Sequence, residues 1–432
     1  QTQLASYARP PAGGDIPACN RSTGLCCRLV EPIGRRASEE KPAELSEFAR
    51  ASTRSPDVVG SHSSELEEEI ALNYSAYARA YAYASREYAP KPGVTFDRTN
   101  RPLVEAADVD DWAYPDGLMT RKIMSDIRLA KAMKTPFFIG AGYNRPHLPF
   151  ACPKKYWDMY SASDIFLAPN PWLPVGAPPR SVHYFELLSY NEIERGDYNA
   201  GSGGPNGGQR NLPEGLSREL IHGYYACITY VDTLIGYLID ELKERQMYDE
   251  TIITFASDHG YKLGNKGSWA KHTVYETDMH VPMIIKAPGY LPSRIRALVE
   301  NIDLYPTILD LVGVPVPPHV QGRSMKPLMI NKNATSKTAV FARYLDADTI
   351  RYRDMQFSDF CKGKHCYSAE TCSRDCRQTH PTEFMLYNHT FDPLEDENVA
   401  KQDAYFGVVQ EMRAALQVHK RSRGPPFEDY YL

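Results

Sequence analysis

Apolar residues recur at gaps of three and four along the segment Leu216 to Gln246. Leu220, Tyr224, Cys227, Val231, Leu234, Leu238 and Leu242 fall on one face of a 3.6-residue repeat, which predicts a long α-helix with a core-facing stripe. A shorter stripe, Ile123, Ile127, Ala130 and Met133, predicts a helix from about Leu118 to Met133. Two more are expected at Ile302 to Val312 and at Ala404 to His419. The first of these ends at Gly313, and Pro315, Pro317 and Pro318 forbid its continuation. Three apolar runs lack helical spacing: Phe137 to Ala141, Thr251 to Phe255 and Val281 to Lys286. Their length and composition predict buried strands. The long helix, a short turn and the Thr251 strand follow in the order that builds a doubly wound α/β fold.

The first 95 residues carry a weaker pattern. Gln1 to Pro17 is rich in Pro, Gly and Ala, and Arg35 to Glu69 is charged and serine-rich, so both read as surface loop. Leu66 to Ala89 favours helix, with tyrosines on one face that suit packing. Ser161 to Gly215 carries many prolines and the run Gly201 to Gly208. No Lys-Ser/Thr follows those glycines, which excludes a phosphate-cradling loop and leaves a surface insertion. The pair Asp110-Asp111 has no predicted strand before it and reads as the approach to the Leu118 helix, not as a metal pair.

Composition narrows the function classes. The 432 residues carry a net charge of −5, which gives no basic footprint for nucleic acid. No apolar stretch approaches the roughly 20 residues of a membrane span. With neither an initiator Met nor a signal peptide at its start, the chain reads as processed or as a fragment. Sequons at Asn20, Asn73, Asn333 and Asn388 and nine cysteines point to a secreted or lysosomal protein. Cys361, Cys366, Cys372 and Cys376 crowd one polar loop at irregular gaps, which suit two local disulfides better than a zinc site. Cys19, Cys26 and Cys27 crowd another region, and Cys227, inside the long helix, is the expected unpaired thiol.

The densest chemistry lies in Thr251 to Pro288. The strand ends in Ser257-Asp258-His259-Gly260, and a polar loop carrying Trp269, Lys271, His272 and His280 leads to the next strand. Ligands of open α/β sheets gather beyond the carboxyl ends of strands, so Asp258 and His259 are candidate metal ligands. Read alone, Asp-His-Gly more often serves a turn than a metal site. His280 reads as a hydrogen-bonded structural residue, with a place lining the cleft as the alternative. A second informative run, Gly142-Tyr-Asn-Arg-Pro-His-Leu-Pro-Phe150, places Arg145 and His147 after another predicted strand.

In their order, Asp258-His259-Gly260, Gly264 to His272, His280-Val-Pro282 and the Gly142–Phe150 run resemble the sulfatases of the alkaline phosphatase superfamily. Glu383 to Ala400 is similar to that family's L-Y-D-x-x-x-D-P-x-E-x-x-N-x-A, and the likeness extends over about residues 102 to 400. It implies an α/β fold with a mixed sheet flanked by helices and a small C-terminal antiparallel α+β subdomain. The expected divisions are an N-terminal region 1–95, an incomplete sulfatase-like domain 96–335 and a C-terminal subdomain 336–432 with the cysteine-rich loop. It also implies Ca2+ at Asp258 and His259, a charge for the sulfate at Lys271, and His147 as sulfate contact or leaving-group acid with Arg145 beside it. The implied partner is a sulfated glycan or other sulfate ester, with glycosaminoglycan uronate sulfates as one candidate.

This sequence departs from the family in two ways. The family's nucleophile is a formylglycine made from Cys in C-x-P-S-R. Cys19 is followed by NRST, Cys26 by CRLV, Cys27 by RLVE and Cys152 by PKKY, and no other cysteine fits. Family members read L-G-E-H-G-x-W-x-K where this chain reads Leu263-Gly-Asn-Lys-Gly-Ser-Trp-Ala-Lys271. The expectation is therefore sulfate-ester hydrolysis by a complete gene product, with an N-terminal fragment supplying the nucleophile and two Asp ligands. The alternatives are a pseudo-sulfatase that binds sulfated glycans or serves structurally and, more weakly, a phosphate-ester hydrolase.

Overall fold

The computed structural model describes residues 82–85, 101–182, 186–193, 212–344, 347–360 and 383–422. They fall into two compact units, one of residues 1–163 and 222–249, the other of residues 164–221 and 250–432.

In the first unit a short strand, β1 (Val104–Ala107), pairs in parallel with β2 (Phe150–Pro153) in the register Val104 with Phe150. Between them runs α1 (Pro115–Met133). Pro at its first turn has no N–H to leave unpaired, and Lys134 ends it in the left-handed region at φ 53°. A one-turn helix, α2 (Lys154–Trp157), follows β2. The long helix α3 (Glu214–Glu244) contributes residues 222–244. It approaches the strands at Gly223, where a Cβ would lie 2.9 Å from Phe150 Cβ and 3.2 Å from Val104 Cγ1. Met119, Ile123 and Ile127 of α1 are buried, as are Phe150, Ala151, Cys152, Ala226, Cys227 and Tyr230.

The expectation for Asp111 holds, but one premise behind it does not. A strand, β1, does precede the aspartates, although it is too short and alanine-rich to stand out in the sequence. The Asp111 carboxylate accepts from Tyr156 Oη at 2.8 Å, Tyr237 Oη at 2.7 Å and Lys155 Nζ at 2.8 Å. Burial pushes this carboxyl up, and the bonds from Lys155, Tyr237 and Tyr156 more than reverse that, leaving it below the ordinary range. It is a structural anchor. Phe137 to Ala141 is not a strand: its backbone pairs with no strand among the described residues, and Phe138 is half exposed. An apolar run becomes a strand only where a pairing edge meets it, and composition does not report that edge.

In the second unit β3 (Ile253–Ala256) pairs antiparallel with β6 (Met283–Lys286). The intervening chain forms two-residue strands β4 (Lys262–Leu263) and β5 (Trp269–Ala270), also antiparallel, and a single turn, α4 (Glu276–Met279). Next come α5 (Leu304–Leu311) and α6 (Lys326–Ile330); Gly313, past the end of α5, has φ 75° and supplies the left-handed exit that stops a helix. Four strands, β7 (Ala339–Tyr344), β8 (Ala347–Tyr352), β9 (Met355–Phe360) and β10 (Glu383–Asn388), form an antiparallel sheet in the order β10-β9-β8-β7. The last helix is α7 (Phe406–Ser422). Alternation along the strands splits this sheet between two cores. Met385, Tyr387 and Phe360 join Tyr275 and Val274, while Leu386, Phe357 and Ile350 take Val409, Met412 and Leu416 of α7.

The Thr251 run was expected to be a buried strand. It forms β3, but Phe255 and its cross-strand partner Ile284 are 39% and 62% exposed. Among the described residues β3 pairs with β6 alone, and a two-stranded ribbon leaves one face open. Asn388 is a sequon by sequence but is buried, its amide donating to Tyr405 Oη and its oxygen accepting from Thr390 N–H; Asn333 is exposed. The Leu66–Ala89 helix lies outside the described residues except for residues 82–85, which form bends. The Gly201–Gly208 insertion, the sequons at Asn20 and Asn73, and the clusters Cys19–Cys27 and Cys361–Cys376 lie outside them entirely.

Two glycines give opposite expectations. A Cβ at Gly117 in α1 would penetrate the Asp111 carbonyl oxygen, which is backbone, whereas one at Gly236 in α3 would meet nothing within 4 Å. Gly117→Ala should cost about 3 kcal/mol or more by overpacking, while Gly236→Ala should add about 0.5–1 kcal/mol of helix stability. Urea midpoints of the two variants should move in opposite directions.

Candidate functional site

The carboxyl end of β3 carries Asp258 and His259, with both side chains about one-third exposed and His259 Nε2 3.6 Å from Asp258 Oδ2. His259 N–H donates back to Asp258 Oδ1 at 3.0 Å, and the ring Nδ1 lies 2.8 Å from the Gly260 carbonyl. Gly260 is required there because a Cβ would penetrate the Thr277 carbonyl oxygen. Asn301 donates from Nδ2 to the Ser257 carbonyl at 2.9 Å, which brings its amide to the same strand end, and its buried Oδ1 accepts no hydrogen bond from the described residues. These donors suit a hard cation. Among the described residues, however, no three His, Cys, Asp or Glu side chains converge as a metal site, and calcium takes about six to eight oxygens. The residues present fit part of a calcium shell, not a whole one.

Lys271 sits on the loop that closes β5. The residues on either side of it, Ala270 at φ 67° and His272 at φ 79°, are both left-handed, a conformation that costs non-glycine residues about 1 kcal/mol or more each and persists only where the surroundings impose it. Lys271 Nζ donates to Glu186 Oε1 at 2.6 Å, and His272 Nε2 lies 3.2 Å from Glu186 Oε2. One carboxylate thus holds both side chains. Glu186 lies 85 residues from Lys271 in a stretch with no motif, so sequence reasoning had no signal for it.

The loop is tied at both ends by one aspartate. Asp278 takes Lys262 Nζ at 2.5 and 2.6 Å, and its Oδ2 also accepts Thr273 N–H at 2.8 Å and Thr273 Oγ1 at 2.7 Å. Lys262 has no exposed surface. Burial pulls its ammonium below the usual lysine range, against the pull of Asp278. Lys266, which stands where the family has a histidine, is nearly as buried. It reaches the turn after β10, donating to the carbonyls of Leu394 and, at 3.1 Å, Glu395, with its Nζ 5.3 Å from the Tyr275 ring centroid. Glu395 of the same turn is 1% exposed. It accepts Gln356 Nε2 at 2.9 Å and Glu276 N–H at 3.0 Å, and its Oε1 lies 3.1 Å from His389 Nε2. Burial pushes its carboxyl up to about 8, opposed by Lys266. The D-P-L-E-D-E-N segment therefore braces the Lys271 loop. His280 is highly exposed and pairs with Glu276 one turn back at 3.1 Å.

Arg145 and His147 belong to the other unit. Asp116 of α1, fully buried, accepts Asn144 N–H and Arg145 N–H at 2.9 Å each and fixes the turn between them. Burial pushes Asp116 up and the Arg145 charge opposes it. The Arg145 guanidinium donates to the carbonyls of Ala151 at 2.9 Å and Ala82 at 2.6 Å, so it braces the turn. His147 Nδ1 lies 2.7 Å from the Leu148 carbonyl, and the ring is partly exposed. Asp258, His259 and Lys271 are thus gathered on one unit, and Arg145 and His147 on the other.

The family model described as Sulfatase matches residues 60–314, more than half of the chain. The chain belongs to the sulfatase family. A second model, the C-terminal domain of N-sulphoglucosamine sulphohydrolase, matches residues 264–422. The chain is 30% identical to iduronate 2-sulfatase of Mus musculus over 376 residues, covering 72% of this chain and 66% of that protein. It is 30% identical to the Homo sapiens protein of that name over 242 residues, covering 50% of this chain and 43% of that one. Choline-sulfatase of Rhizobium meliloti (strain 1021) is 29% identical over 295 residues, covering 65% and 51%. The chain thus spans two thirds or less of these curated relatives. Among solved structures, the phosphonate monoester hydrolase of Silicibacter pomeroyi superposes with a TM-score of 0.59 at 23% identity, covering 82% of this chain and 68% of that one. A structure in complex with its substrate D-glucosamine-2-N,6-O-disulfate gives 0.57 at 20%, covering 73% and 72%. The fold is alkaline phosphatase-like with a small C-terminal antiparallel sheet. No helix of the described residues is long and apolar enough to cross a membrane.

Two expectations follow from the buried charges. Lys262→Met strands Asp278 in the interior and should cost about 3–5 kcal/mol in chemical denaturation. Glu395 binds its proton more tightly folded than unfolded, so its contribution to stability is complete below the ordinary value of 4.5 and lost as pH rises through about 8. Glu395→Gln, which mimics the protonated form, should flatten that decline, with the two proteins diverging by roughly 1–4 kcal/mol between pH 5 and pH 8.

Proposed function

We propose that this sulfatase hydrolyses sulfate esters as the larger part of a longer enzyme, with a sulfated glycan as substrate and a glycosaminoglycan uronate sulfate as the favoured class. The observation that carries this reading is Lys271, a nearly buried ammonium held between two left-handed residues, Ala270 and His272, in the same unit as Asp258 and His259. A sulfate monoester breaks at S–O with negative charge building on the leaving oxygen, and catalysis needs a cation over the sulfate oxygens and a proton donor for the departing one. Lys271 supplies a point charge for the sulfate, which would displace or share the Glu186 carboxylate. His147, its Nδ1 on the Leu148 carbonyl, would act in its imidazolium form and give the Nε2 proton to the departing oxygen. Arg145 fixes that turn and adds positive charge to it.

Asp258 and His259 would hold a calcium ion together with oxygens from outside the described residues. When bound, the ion stabilises charge on the sulfate oxygens. The formylglycine and two further carboxylates would come from an N-terminal segment of the same gene product. Relatives named iduronate 2-sulfatase favour the uronate class, and the sequons favour a secreted or lysosomal location.

A second reading has its own observation: none of the nine cysteines begins C-x-P-S-R. On that reading the protein binds sulfated glycans without turnover. Peptide mapping of the natural material, assayed in parallel with a fluorogenic uronate 2-sulfate and added calcium, separates the two. Hydrolysis together with a formylglycine peptide supports the enzyme. Lys271→Ala and His147→Ala should then each lower kcat/KM by roughly 10²–10³ with circular dichroism unchanged. No formylglycine peptide, no turnover and retained heparin-oligosaccharide binding would establish the binding protein instead.

A further inference from the structure

Cys227 was expected to stand alone in the long helix. The structure gives it a neighbour. At Gly223 helix α3 presses on Phe150 and Val104. One helical turn beyond Gly223 is Cys227, and two strand residues beyond Phe150, on the same face, is Cys152. Both cysteines are free and completely buried, and the Cys152 thiol is a neighbouring group of the Cys227 thiol. Arg145 and Asp116, which fix the His147 turn, act on Cys227 as nearby charges. No other cysteine of the described residues takes part in this contact. Nothing in the sulfate-ester reading uses these two thiols, and the inference does not depend on that reading.

We infer that Cys152 and Cys227 are a disulfide-forming pair that staples β2, the strand following the His147 turn, to helix α3. In the oxidation each thiol gives up its proton and one Sγ–Sγ bond forms. The two electrons pass to a disulfide oxidant such as glutathione disulfide, whose S–S bond is broken to two thiols. With neither of these two thiols exposed in the folded chain, the exchange takes place while the chain is folding. Burial and the Cys152 thiol both push the Cys227 thiol up, so a pair left reduced is shielded and unreactive once folded. The bond would join positions 75 residues apart, a long loop of the kind whose closure constrains the unfolded chain most.

The test uses the full chain, refolded from denaturant with a mixture of glutathione and glutathione disulfide. It is then denatured and alkylated without reductant before digestion. A cross-linked peptide pair containing Cys152 and Cys227, lighter than the reduced peptides by two hydrogens, is the expected result. Alkylation of both residues, or linkage of either to a different cysteine, overturns the proposal. A second readout is the loss of thermal midpoint on adding a phosphine reductant. In the natural sequence this loss should exceed that of the C152A/C227A variant by roughly 5–10 °C. Equal losses in the two proteins count against the staple.

Discussion

The Lys271 loop depends on a single buried carboxylate. Asp278 holds Lys262, where the loop begins, and Thr273, where it ends, so one side chain closes a bracket around residues 263 to 272. The peptide of Gly260 joins the same arrangement, its N–H donating to the Asp278 carbonyl at 2.8 Å. A buried ion pair is a poor source of net stability, because removing two charges from water offsets most of their attraction. Its value lies in the alternatives it forbids: a loop arrangement that separates Lys262 from Asp278 leaves two uncompensated charges in the interior. That penalty can hold Ala270 and His272, on either side of Lys271, in backbone conformations the residues would not adopt unaided.

The second brace reaches the same loop from the C-terminal sheet. Lys266 replaces a family histidine, and its longer side chain spans to the carbonyls of Leu394 and Glu395. Asn170 adds a third strand of support, its carbonyl accepting Lys266 N–H at 2.7 Å and its amide donating to Asp396 at 2.8 Å. The substitution thus carries a structural role. Glu395 shows what such a brace costs: enclosed among Gln356, His389 and the Glu276 peptide, it keeps its proton to a higher pH than a surface glutamate does. The rigidity of the loop and the pH sensitivity of the turn behind it have one origin, polar groups gathered where water is excluded.

Much of this was legible in the sequence because it rests on local rules. The stripes from Leu220 to Leu242 and from Ile123 to Met133 became helices within a few residues of their predicted ends, and Gly313 stopped its helix as expected. Asp258, His259 and Lys271 were singled out as candidates by ordered short motifs. What escaped was pairing across distance. Glu186 with Lys271, Lys262 with Asp278 and Cys152 with Cys227 each join residues whose types carry no information about one another. Strand burial failed for the same reason, since the exposure of Phe255 and Ile284 depends on which strands flank β3, not on the apolar run itself.

The charge balance around Lys271 shows what a substrate would have to do. An ammonium this buried requires an anion, and Glu186 is that anion in the structure, with His272 sharing it. A sulfate oxygen can enter only by taking over part of that role, so the affinity of the site is a difference between two anions and not the full strength of one contact. Such an exchange favours a ligand that brings further contacts, because a bare sulfate gains little over a carboxylate already in place. On the role proposed for Lys271, recognition would suit a sulfate carried on a larger molecule, whose remaining groups contribute the binding that the single ion pair does not.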